Sequence, residues 1–570
     1  PKLKYSQKLR SELRDLAYTV SDDDLDQTSL TSVFKHGAPP NPTKHGLTQE
    51  STNNPLIAEF EVLSDEQILA CKAAQKRTLS LITGPPGTGK SITVSHILAN
   101  AAIRQERALF ASRNHQALAA VEPRINALCE PDVLMIRANR PYNDNGTRVD
   151  WANSIKMILA QPAVPNAHKR FEESVERLTL LLDMIQQTEL QLNDAVSMRE
   201  ELSSLSIQID ELTGRSPEYW LTGADILDEI PSVAQLDFAQ SCLAQERTPV
   251  GFIAALHQFI GRILIWRRKA AEKTLSEANR IIEELNEVQL STKYGGPVQA
   301  LKRISYARML SQRYENLEQD CRSALPHDEL VSVVQKSRED MRGALSEALK
   351  RRASSCKEEL PGDIRQAFAT ILAAIQNRGQ EVLSNNDALG KMFSKQITRL
   401  FDHYPLWAVT NQSVHRVAPL KPAVFDLVVI DEASQCDIAS VIPLLYRAKR
   451  AVIVGDPNQL SHITSFNAQT DLRLRATHGV DDISNFERYS YLNNSLFDLI
   501  NGAHDRESTL LIDHYRCDPD IIRYCNESFY NGALRIRSTR SRTSSPYPRA
   551  CIWTHVDDDA QAASSGCHSK

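Results

Sequence analysis

The chain has 570 residues, of which 42% are hydrophobic, a formal net charge of −5 and an isoelectric point of about 6.4. This length is enough for roughly two to four domains and at least one large core. The charge excludes a protein held to polyanions by a basic field over its whole surface, whereas a local basic groove is not visible in a total.

Residues 1–60 are expected to form an accessory segment and a linker. Apolar residues at helical spacing between positions 5 and 20 predict one amphipathic helix. The stretch HGAPPNPTKHG at 36–46 is rich in proline and glycine and predicts a linker.

Beyond this linker, short apolar runs alternate with helical patterns. The runs cover residues 78–83, 108–112, 132–138, 406–411, 426–433, 451–456 and 509–515. Continuous apolar runs separated by helices are typical of a parallel sheet that helices cover on both faces. The predicted fold class is therefore α/β, with one sheet domain divided between residues 61–164 and 401–490.

The segment 165–400 has a different pattern, with apolar residues at steps of three and four. Its first part predicts a helix of about 70 Å with a coiled-coil seam. We interpret the segment as an antiparallel helical insertion in the α/β domain. Its mixed charges are typical of a solvated spacer, and a binding surface for a protein partner is the alternative.

Cysteine use and hydropathy indicate the compartment. Ten cysteines lie between Cys71 and Cys567 without a C-x-x-C pair, which favours reduced thiols in a cytoplasmic, intracellular protein. The most apolar window, residues 251–266, contains three polar residues and is too short to cross a bilayer comfortably. We expect a buried helix or the tip of a helical arm there, and no membrane partner.

A phosphate-binding loop follows the first apolar run. The motif G-x-x-x-x-G-K-[ST] is met by Gly84, Pro85, Pro86, Gly87, Thr88, Gly89, Lys90 and Ser91. Its glycines let consecutive backbone N–H groups point at phosphates, and the N-terminus of the following helix adds a partial positive charge. Lys90 is expected to reach the β- and γ-phosphate oxygens of a nucleotide, and Ser91 to bind Mg²⁺.

The run LVVIDEAS supplies the acidic strand end that a phosphate-binding loop requires. Asp431 is expected to hold Mg²⁺, and Glu432 to polarise the attacking water as a general base. The cofactors predicted from these residues are ATP and Mg²⁺.

Four motifs together resemble superfamily 1 helicases. The phosphate-binding loop, DEAS (431–434), GDPNQL (455–460) and HYRCDPDI (514–521) occur in the order found in that family. They are most similar to the 5′→3′ subgroup, superfamily 1B, which includes the helicase of nonsense-mediated decay. The similarity covers roughly residues 61–150 and 401–535 and leaves the helical insertion outside it.

The resemblance implies a RecA-like fold and roles for further residues in ATP hydrolysis. Gln67 stands where the family reads adenine, although Ser64 replaces the asparagine that is frequent there. Gln459 is implied to sense the γ-phosphate, with Asp456 supporting it. Arg516 is implied to be an arginine finger from a second RecA-like domain.

The resemblance also implies contacts with a nucleic acid. Asn114 and Thr410 stand where the family contacts the backbone of a single strand of DNA or RNA. Ordinary structural roles, such as a helix N-cap for Asn114, are the alternative for both residues. In HYRCDP, Cys517 and Asp518 replace the family's usual Met-His pair, although the arginine is present.

Two later motifs of the family, a second arginine motif and a glycine-containing one, do not follow in this sequence. Residues 491–570 are therefore expected to be the start of an incomplete second RecA-like domain.

A GTPase is excluded because the sequence has no N-K-x-D motif. The function predicted is an ATP-dependent helicase or translocase, and the alternative is a weak ATP-binding scaffold whose helical arm binds a protein partner.

Overall fold

The computed structural model describes residues 3–34, 57–137, 151–159, 164–221, 225–244, 254–285, 287–378, 388–416, 418–462, 468–480, 486–501, 508–538, 561–563 and 566–568. The strands in these ranges are β1 (Leu79–Thr83), β2 (Ala108–Ser112), β3 (Met135–Arg137), β4 (Leu406–Thr410), β5 (Phe425–Asp431), β6 (Ala448–Gly455), β7 (Ser508–Leu510), β8 (Asp513–His514), β9 (Arg535–Ile536), β10 (Gln561–Ala563) and β11 (Gly566–His568).

Helices make up most of the remaining described chain. They are α1 (Leu3–Thr19), α2 (Asp22–Asp26), α3 (Thr31–Phe34), α4 (Asp65–Lys76), α5 (Lys90–Ile103), α6 (His115–Cys129), α7 (Trp151–Leu159), α8 (Ala167–Thr213), α9 (Pro217–Leu221), α10 (Val233–Ala244), α11 (Ala254–Glu284), α12 (Val288–Lys293), α13 (Pro297–Ser323), α14 (His327–Glu358), α15 (Gly362–Arg378), α16 (Ala388–Leu400), α17 (Ile438–Tyr446), α18 (Ala468–His478), α19 (Leu496–Asn501) and α20 (Pro519–Phe529).

A seven-stranded parallel sheet forms the core of the α/β part. Its order is β3-β4-β2-β5-β6-β1-β7, and every neighbouring pair is parallel. All five residues of β2 are buried, as expected of a central strand covered on both faces. The α/β class with a split parallel sheet and a helical insertion is confirmed.

The apolar run 509–515 is divided between two sheets. Its first part is β7, which pairs with β1 of the large sheet, and its second part is β8, which pairs in parallel with β9 across α20. The large sheet thus extends to Leu510, and a second β-α-β unit begins after it. The start of a second domain expected at residue 491 therefore moves beyond β7, because hydrogen bonding to β1 holds this strand in the first sheet.

The helical insertion forms a compact unit that is smaller than expected. Residues Met184–Ser337 group together, and the described parts of 1–183 and 338–570 form the other unit. The flanking helices belong with the sheet: α15 packs against α7 and α16, and Lys357 Nζ lies 3.2 Å from Asp132 Oδ1 with both side chains buried. The structure thus separates only residues 184–337 as a compact unit of their own, and the insertion bounds of 165 and 400 stay a prediction.

The helical unit has its own hydrophobic core. Trp220 of α9 is 1% exposed and lies in a cluster with Ile209 of α8, Leu236 of α10, and Leu301 and Ile304 of α13. The Trp220 indole N–H donates to the hydroxyl of Thr213 at 3.1 Å. A buried indole that has both apolar neighbours and a hydrogen-bond acceptor is typical of a stable core.

We predict that residues 184–337 can be removed without unfolding the sheet-bearing part. Within the sheet-bearing unit, Arg177 of α8 contacts Glu347 of α14, and Arg351 of α14 donates to the carbonyl of Arg170. These two helices therefore run antiparallel, and a short linker can join residue 183 to residue 338. The shortened chain is expected to remain folded and to bind a fluorescent ATP analogue as the full chain does.

The control is the wider excision of residues 165–400, which also removes Lys357 and α15, the helix packed on α7. We expect that chain to be insoluble or to unfold at a much lower temperature. Equal behaviour of the two excisions, measured by circular dichroism and nucleotide binding, would contradict the boundaries given by the structure.

The N-terminal helices are attached to the sheet-bearing unit through a buried ion pair. Arg447 is fully buried, and its Nη2 donates to Glu12 Oε1 at 2.7 Å. The same guanidinium also donates to the carbonyls of Ala418, Pro419 and Pro443. Residues 3–34 therefore pack as part of this unit.

Replacing Glu12 with alanine is expected to lower the free energy of unfolding by about 3–5 kcal/mol, because it leaves a buried charge without its partner. Urea denaturation measures this change. Arg14→Ala, an exposed position on the same helix, is the control and should change the free energy of unfolding by less than about 0.5 kcal/mol. Equal small effects of both variants would contradict the role of the ion pair.

Two further expectations concern the cysteines and the membrane. Within the described ranges, Cys71, Cys129, Cys356 and Cys436 are buried and not in disulfides. Burial raises the pKa of Cys129, Cys356 and Cys436 to about 12, so these thiols are uncharged at neutral pH.

Among the helices that the structure describes, none is long and apolar enough to span a membrane. The apolar window 251–266 lies partly outside the described residues, and α11 begins within it.

Candidate nucleotide site

The candidate site lies at the carboxyl edge of the large sheet. The phosphate-binding loop follows β1, the acidic pair follows β5, and the end of β6 lies between these two strands. Gly84 N donates to Gly455 O at 3.0 Å, which joins the loop directly to the end of β6. In parallel sheets the crevice beyond the strand ends is where ligands bind.

The glycines of the loop are required by its conformation. Gly87 has φ 83° and Gly89 has φ 82°, which is the left-handed region that side chains disfavour. A Cβ atom on Gly84 would lie 2.4 Å from Lys90 Cγ, so the absence of a side chain at Gly84 leaves room for the lysine. Thr88 closes the turn, because its hydroxyl donates to Pro85 O at 2.8 Å.

Lys90 and Ser91 form the first turn of α5, which begins after Gly89. Lys90 Nζ lies 3.8 Å from Glu432 Oε1, with both side chains largely buried. The structure therefore brings together the loop lysine and the predicted general base. An anionic phosphate bound in the loop would compete with Glu432 for the lysine, because both would be anionic partners of the same ammonium group.

Asp431 ends β5 and is 3% exposed. Burial raises the pKa of this carboxyl to about 6; Lys90 opposes the rise and Glu432 adds to it. Oδ1 accepts from the backbone N–H of Glu432 at 2.8 Å. A buried carboxylate with too little positive charge around it fits a divalent cation, which would favour its charged form.

Glu432 has an unusual backbone conformation. Its φ is 53° and ψ is 43°, a left-handed geometry that costs a non-glycine residue about 1–3 kcal/mol. Its buried Oε2 has no hydrogen-bond partner within the described part of the chain. An unpaired carboxylate oxygen held by a strained backbone fits a group that accepts a proton from water.

A site for Mg²⁺ would be completed by the nucleotide. The described residues contain no group of three or more His, Cys, Asp and Glu able to hold a metal by themselves. Mg²⁺ is commonly held by one or two protein oxygens together with phosphates and waters, so Ser91 and Asp431 are a sufficient protein contribution.

Gln67 lies beside the loop, and both the oxygen and the nitrogen of its amide are hydrogen-bonded. Ser64 caps α4, its hydroxyl accepts from Gln67 N at 3.3 Å, and Gln67 Oε1 accepts from Ser64 N at 3.0 Å. Gln67 Nε2 also donates to Thr88 O at 3.3 Å. The serine that replaces asparagine at position 64 thus forms a capping box with Gln67, and the bond from Gln67 to Thr88 connects α4 to the loop.

Gln459 lies next to Asp456, which immediately follows β6. Gln459 Nε2 donates to Asp456 Oδ2 at 3.1 Å, and the aspartate is fully buried. Because β6 runs between β1 and β5, this loop emerges between the phosphate-binding loop and the acidic pair. The position suits a residue that senses a γ-phosphate.

The second β-α-β unit contacts the phosphate-binding loop. Tyr515 N donates to Gly87 O at 3.0 Å, and a Cβ atom on Gly87 would lie 2.7 Å from Arg516 Cβ. Arg516 itself is exposed. A guanidinium beside this loop can neutralise charge on a phosphate without rearrangement of the backbone.

The two candidates for nucleic-acid contact lie along the same edge of the sheet. Thr410 and Asp431 are the last residues of β4 and β5 and both pair in register with Ser112 of β2. Asn114 stands at the N-cap position of α6, yet its side chain makes no cap hydrogen bond and is exposed. The Thr410 hydroxyl donates to Ser413 Oγ at 2.8 Å.

Three residues near the site were given no role by the sequence, although Asn458 and His514 stand within the GDPNQL and HYRCDPDI motifs. Tyr530 and Asn458 connect the second β-α-β unit to the loop after β6, and buried His514 packs on Gly87. His514 Nε2 accepts from Cys517 N at 2.9 Å, which fixes the turn that precedes α20. Only their contacts across the chain identify these residues.

The sheet order, the loop and the acidic strand end define a P-loop domain of the RecA-like type. A family profile described as an AAA domain matches residues 271–465, which include the acidic strand. The chain is 24% identical over 517 residues to an uncharacterized ATP-dependent helicase of Mycoplasma pneumoniae, the MG140 homolog, covering 80% of this chain and 44% of that protein.

Two eukaryotic helicases match shorter segments. Helicase SEN1 of Saccharomyces cerevisiae is 36% identical over 124 residues, which is 22% of this chain and 5% of that protein. The probable helicase senataxin of Homo sapiens is 32% identical over 131 residues, or 22% of this chain and 4% of that protein. These similarities support a relationship to superfamily 1 helicases, although the chain spans less than half the length of these relatives.

Proposed function

We propose that this protein is an ATP-dependent helicase or translocase that couples ATP hydrolysis to movement on single-stranded DNA or RNA. One observation carries the proposal: the phosphate-binding loop contacts both the acidic pair, through Lys90 and Glu432, and the segment of Arg516, through the bond from Tyr515 N to Gly87 O. The names of the matched relatives, all helicases, support it. The 5′→3′ subgroup is part of the proposal and rests on the motif resemblance.

ATP would bind with its phosphates in the loop. The backbone N–H groups between Gly84 and Lys90 and the N-terminus of α5 supply the positive field. Lys90 would exchange Glu432 for the phosphate oxygens, which leaves the carboxylate free for water. Gln67 would read adenine only after it gives up a hydrogen bond of its capping box.

Hydrolysis would then use groups that the sheet already holds in place. Glu432 would accept a proton from the attacking water, and Asp431 with Ser91 would hold Mg²⁺, whose charge would stabilise the phosphates. Arg516 stabilises the charge that develops in the transition state. Loss of the γ-phosphate removes the partner of Arg516 and allows the second unit to move.

A single strand would lie along the carboxyl edge of the sheet. Asn114 is exposed there and can donate to a backbone phosphate, and Thr410 lies two strands from Asp431. Closure and opening of two lobes around ATP would move the strand in steps. A protein partner for the helical unit remains part of the proposal, without an assigned surface.

The test combines nucleotide binding with strand separation. Lys90→Ala should abolish binding of a fluorescent ATP analogue, whereas Lys72→Ala, a lysine on α4, should leave it unchanged. Duplexes with a 5′ or a 3′ single-stranded tail then report unwinding and its direction. Unchanged analogue binding by Lys90→Ala would contradict the role of the loop, and unwinding from the 3′ tail alone would contradict the subgroup.

A further inference from the structure

The loop after β6 is bonded to the end of α20 by two hydrogen bonds. The Tyr530 hydroxyl donates to Asp456 Oδ2 at 2.8 Å, and Asn458 Nδ2 donates to Phe529 O at 2.9 Å. The donor and acceptor of each bond lie more than seventy positions apart in the chain. The loop that contains Gln459 is therefore attached to the second β-α-β unit.

Asp456 is the centre of this arrangement. It is fully buried, Oδ1 accepts from Asn458 N at 3.0 Å, and Oδ2 accepts from both Gln459 Nε2 and Tyr530. A carboxylate has room for these acceptor bonds, and bonds to a charged acceptor are stronger than neutral ones. Movement of the phenol would therefore change the position of the Gln459 amide.

The phenol of Tyr530 is a permanent donor in this setting. Burial raises the pKa of its hydroxyl above the usual range, and the hydrogen bond to the Asp456 carboxylate raises this pKa further. Tyr530 therefore keeps its proton at neutral pH and donates it in a hydrogen bond to Asp456 Oδ2.

The topology places this contact between two functional regions. Asp456 follows β6, which separates the strand of the phosphate-binding loop from that of the acidic pair. Tyr530 follows α20, and α20 connects β8, which leads into Arg516, to β9. One hydrogen bond thus joins the candidate γ-phosphate sensor to the unit that carries the candidate arginine finger.

We propose that Tyr530 is a positioning residue for ATP hydrolysis, which holds Asp456 so that Gln459 faces the γ-phosphate and couples its loss to the second unit. This inference rests on the proposed function. Tyr530 acts through Asp456 and Gln459 and does not touch the nucleotide.

Tyr530→Phe removes the hydroxyl and keeps the ring. We expect kcat/KM for ATP hydrolysis to fall about 10-fold, the effect of one hydrogen bond to a charged group. The affinity ratio between a non-hydrolysable ATP analogue and ADP should also shift about 10-fold, through weaker binding of the analogue alone. Equal affinities in wild type and variant would overturn the inference.

Tyr524→Phe is the matched control, because Tyr524 lies on α20 and is 69% exposed. It should change neither kcat/KM nor the affinity ratio. A double-mutant cycle with Gln459→Ala separates positioning from a general structural role. If Tyr530 acts through Gln459, Tyr530→Phe has no further effect in the Gln459→Ala background, whereas additive losses would overturn the inference.

The affinity ratio distinguishes this inference from the proposed function. A wild-type chain that binds both nucleotides, yet hydrolyses ATP equally with and without a strand, would contradict the helicase proposal. The ratio measured on Tyr530→Phe would still support or overturn the role of Tyr530. A chain that binds neither nucleotide would overturn both.

Discussion

Glu432→Gln is expected to lower kcat for ATP hydrolysis by about 10²- to 10⁴-fold, the usual contribution of a general base. The amide cannot accept the proton of the attacking water. Nucleotide binding should be retained or tightened, because the variant also removes the carboxylate that holds Lys90 at 3.8 Å. Steady-state hydrolysis and titration with a fluorescent ATP analogue measure the two effects separately.

The control for this variant is Glu130→Gln, an exposed glutamate at the end of α6. It should leave both kcat and nucleotide affinity unchanged. Hydrolysis by Glu432→Gln within a few-fold of wild type would show that another group accepts the proton. The strained backbone at Glu432 would then need a different explanation.

Arg516→Ala is expected to lower kcat by about 10³- to 10⁵-fold, the range measured for arginine fingers. The structure already holds the backbone of Arg516 against Gly87, so the guanidinium has only to turn towards a bound phosphate. Arg516→Lys should recover only part of the rate, because an ammonium group keeps the charge and loses the planar pair of donors. Affinity for ADP should not change.

Arg523→Ala controls for the loss of a positive charge from the same unit. Arg523 lies on α20, where its Nη2 is 3.6 Å from Asp520 Oδ1 at an exposed position. Its removal should leave kcat unchanged. Similar losses in the two arginine variants would indicate a general electrostatic effect and would contradict a finger at position 516.

The sheet and the loop could be predicted from the sequence because their determinants are local. A buried parallel strand requires a continuous apolar run, and β1, β2, β4, β5 and β6 all lie within or beside such runs. The loop requires glycine at fixed positions, and the positive φ angles of Gly87 and Gly89 show why. In these segments the order and spacing of residue types are therefore enough to predict the local backbone conformation.

The pairing of strands and the boundaries of the units depend on distant contacts. Nothing within residues 509–515 shows that Leu510 completes one sheet while Asp513 opens another. Helical spacing likewise continues through α14, although Lys357 lies in the sheet-bearing unit through its contact with Asp132. The role inferred for Tyr530 has the same origin, since its acceptor Asp456 is 74 positions away.

The central claim is that a bound nucleic acid strand stimulates ATP hydrolysis at the site formed by the phosphate-binding loop and the acidic pair. The most direct measurement is the steady-state rate of ATP hydrolysis by the wild-type chain, titrated with single-stranded DNA and single-stranded RNA. The account predicts a rate that rises to a plateau with at least one of them, with Glu432→Gln inactive throughout. A rate that neither strand changes, or one that Glu432→Gln reproduces, would contradict it.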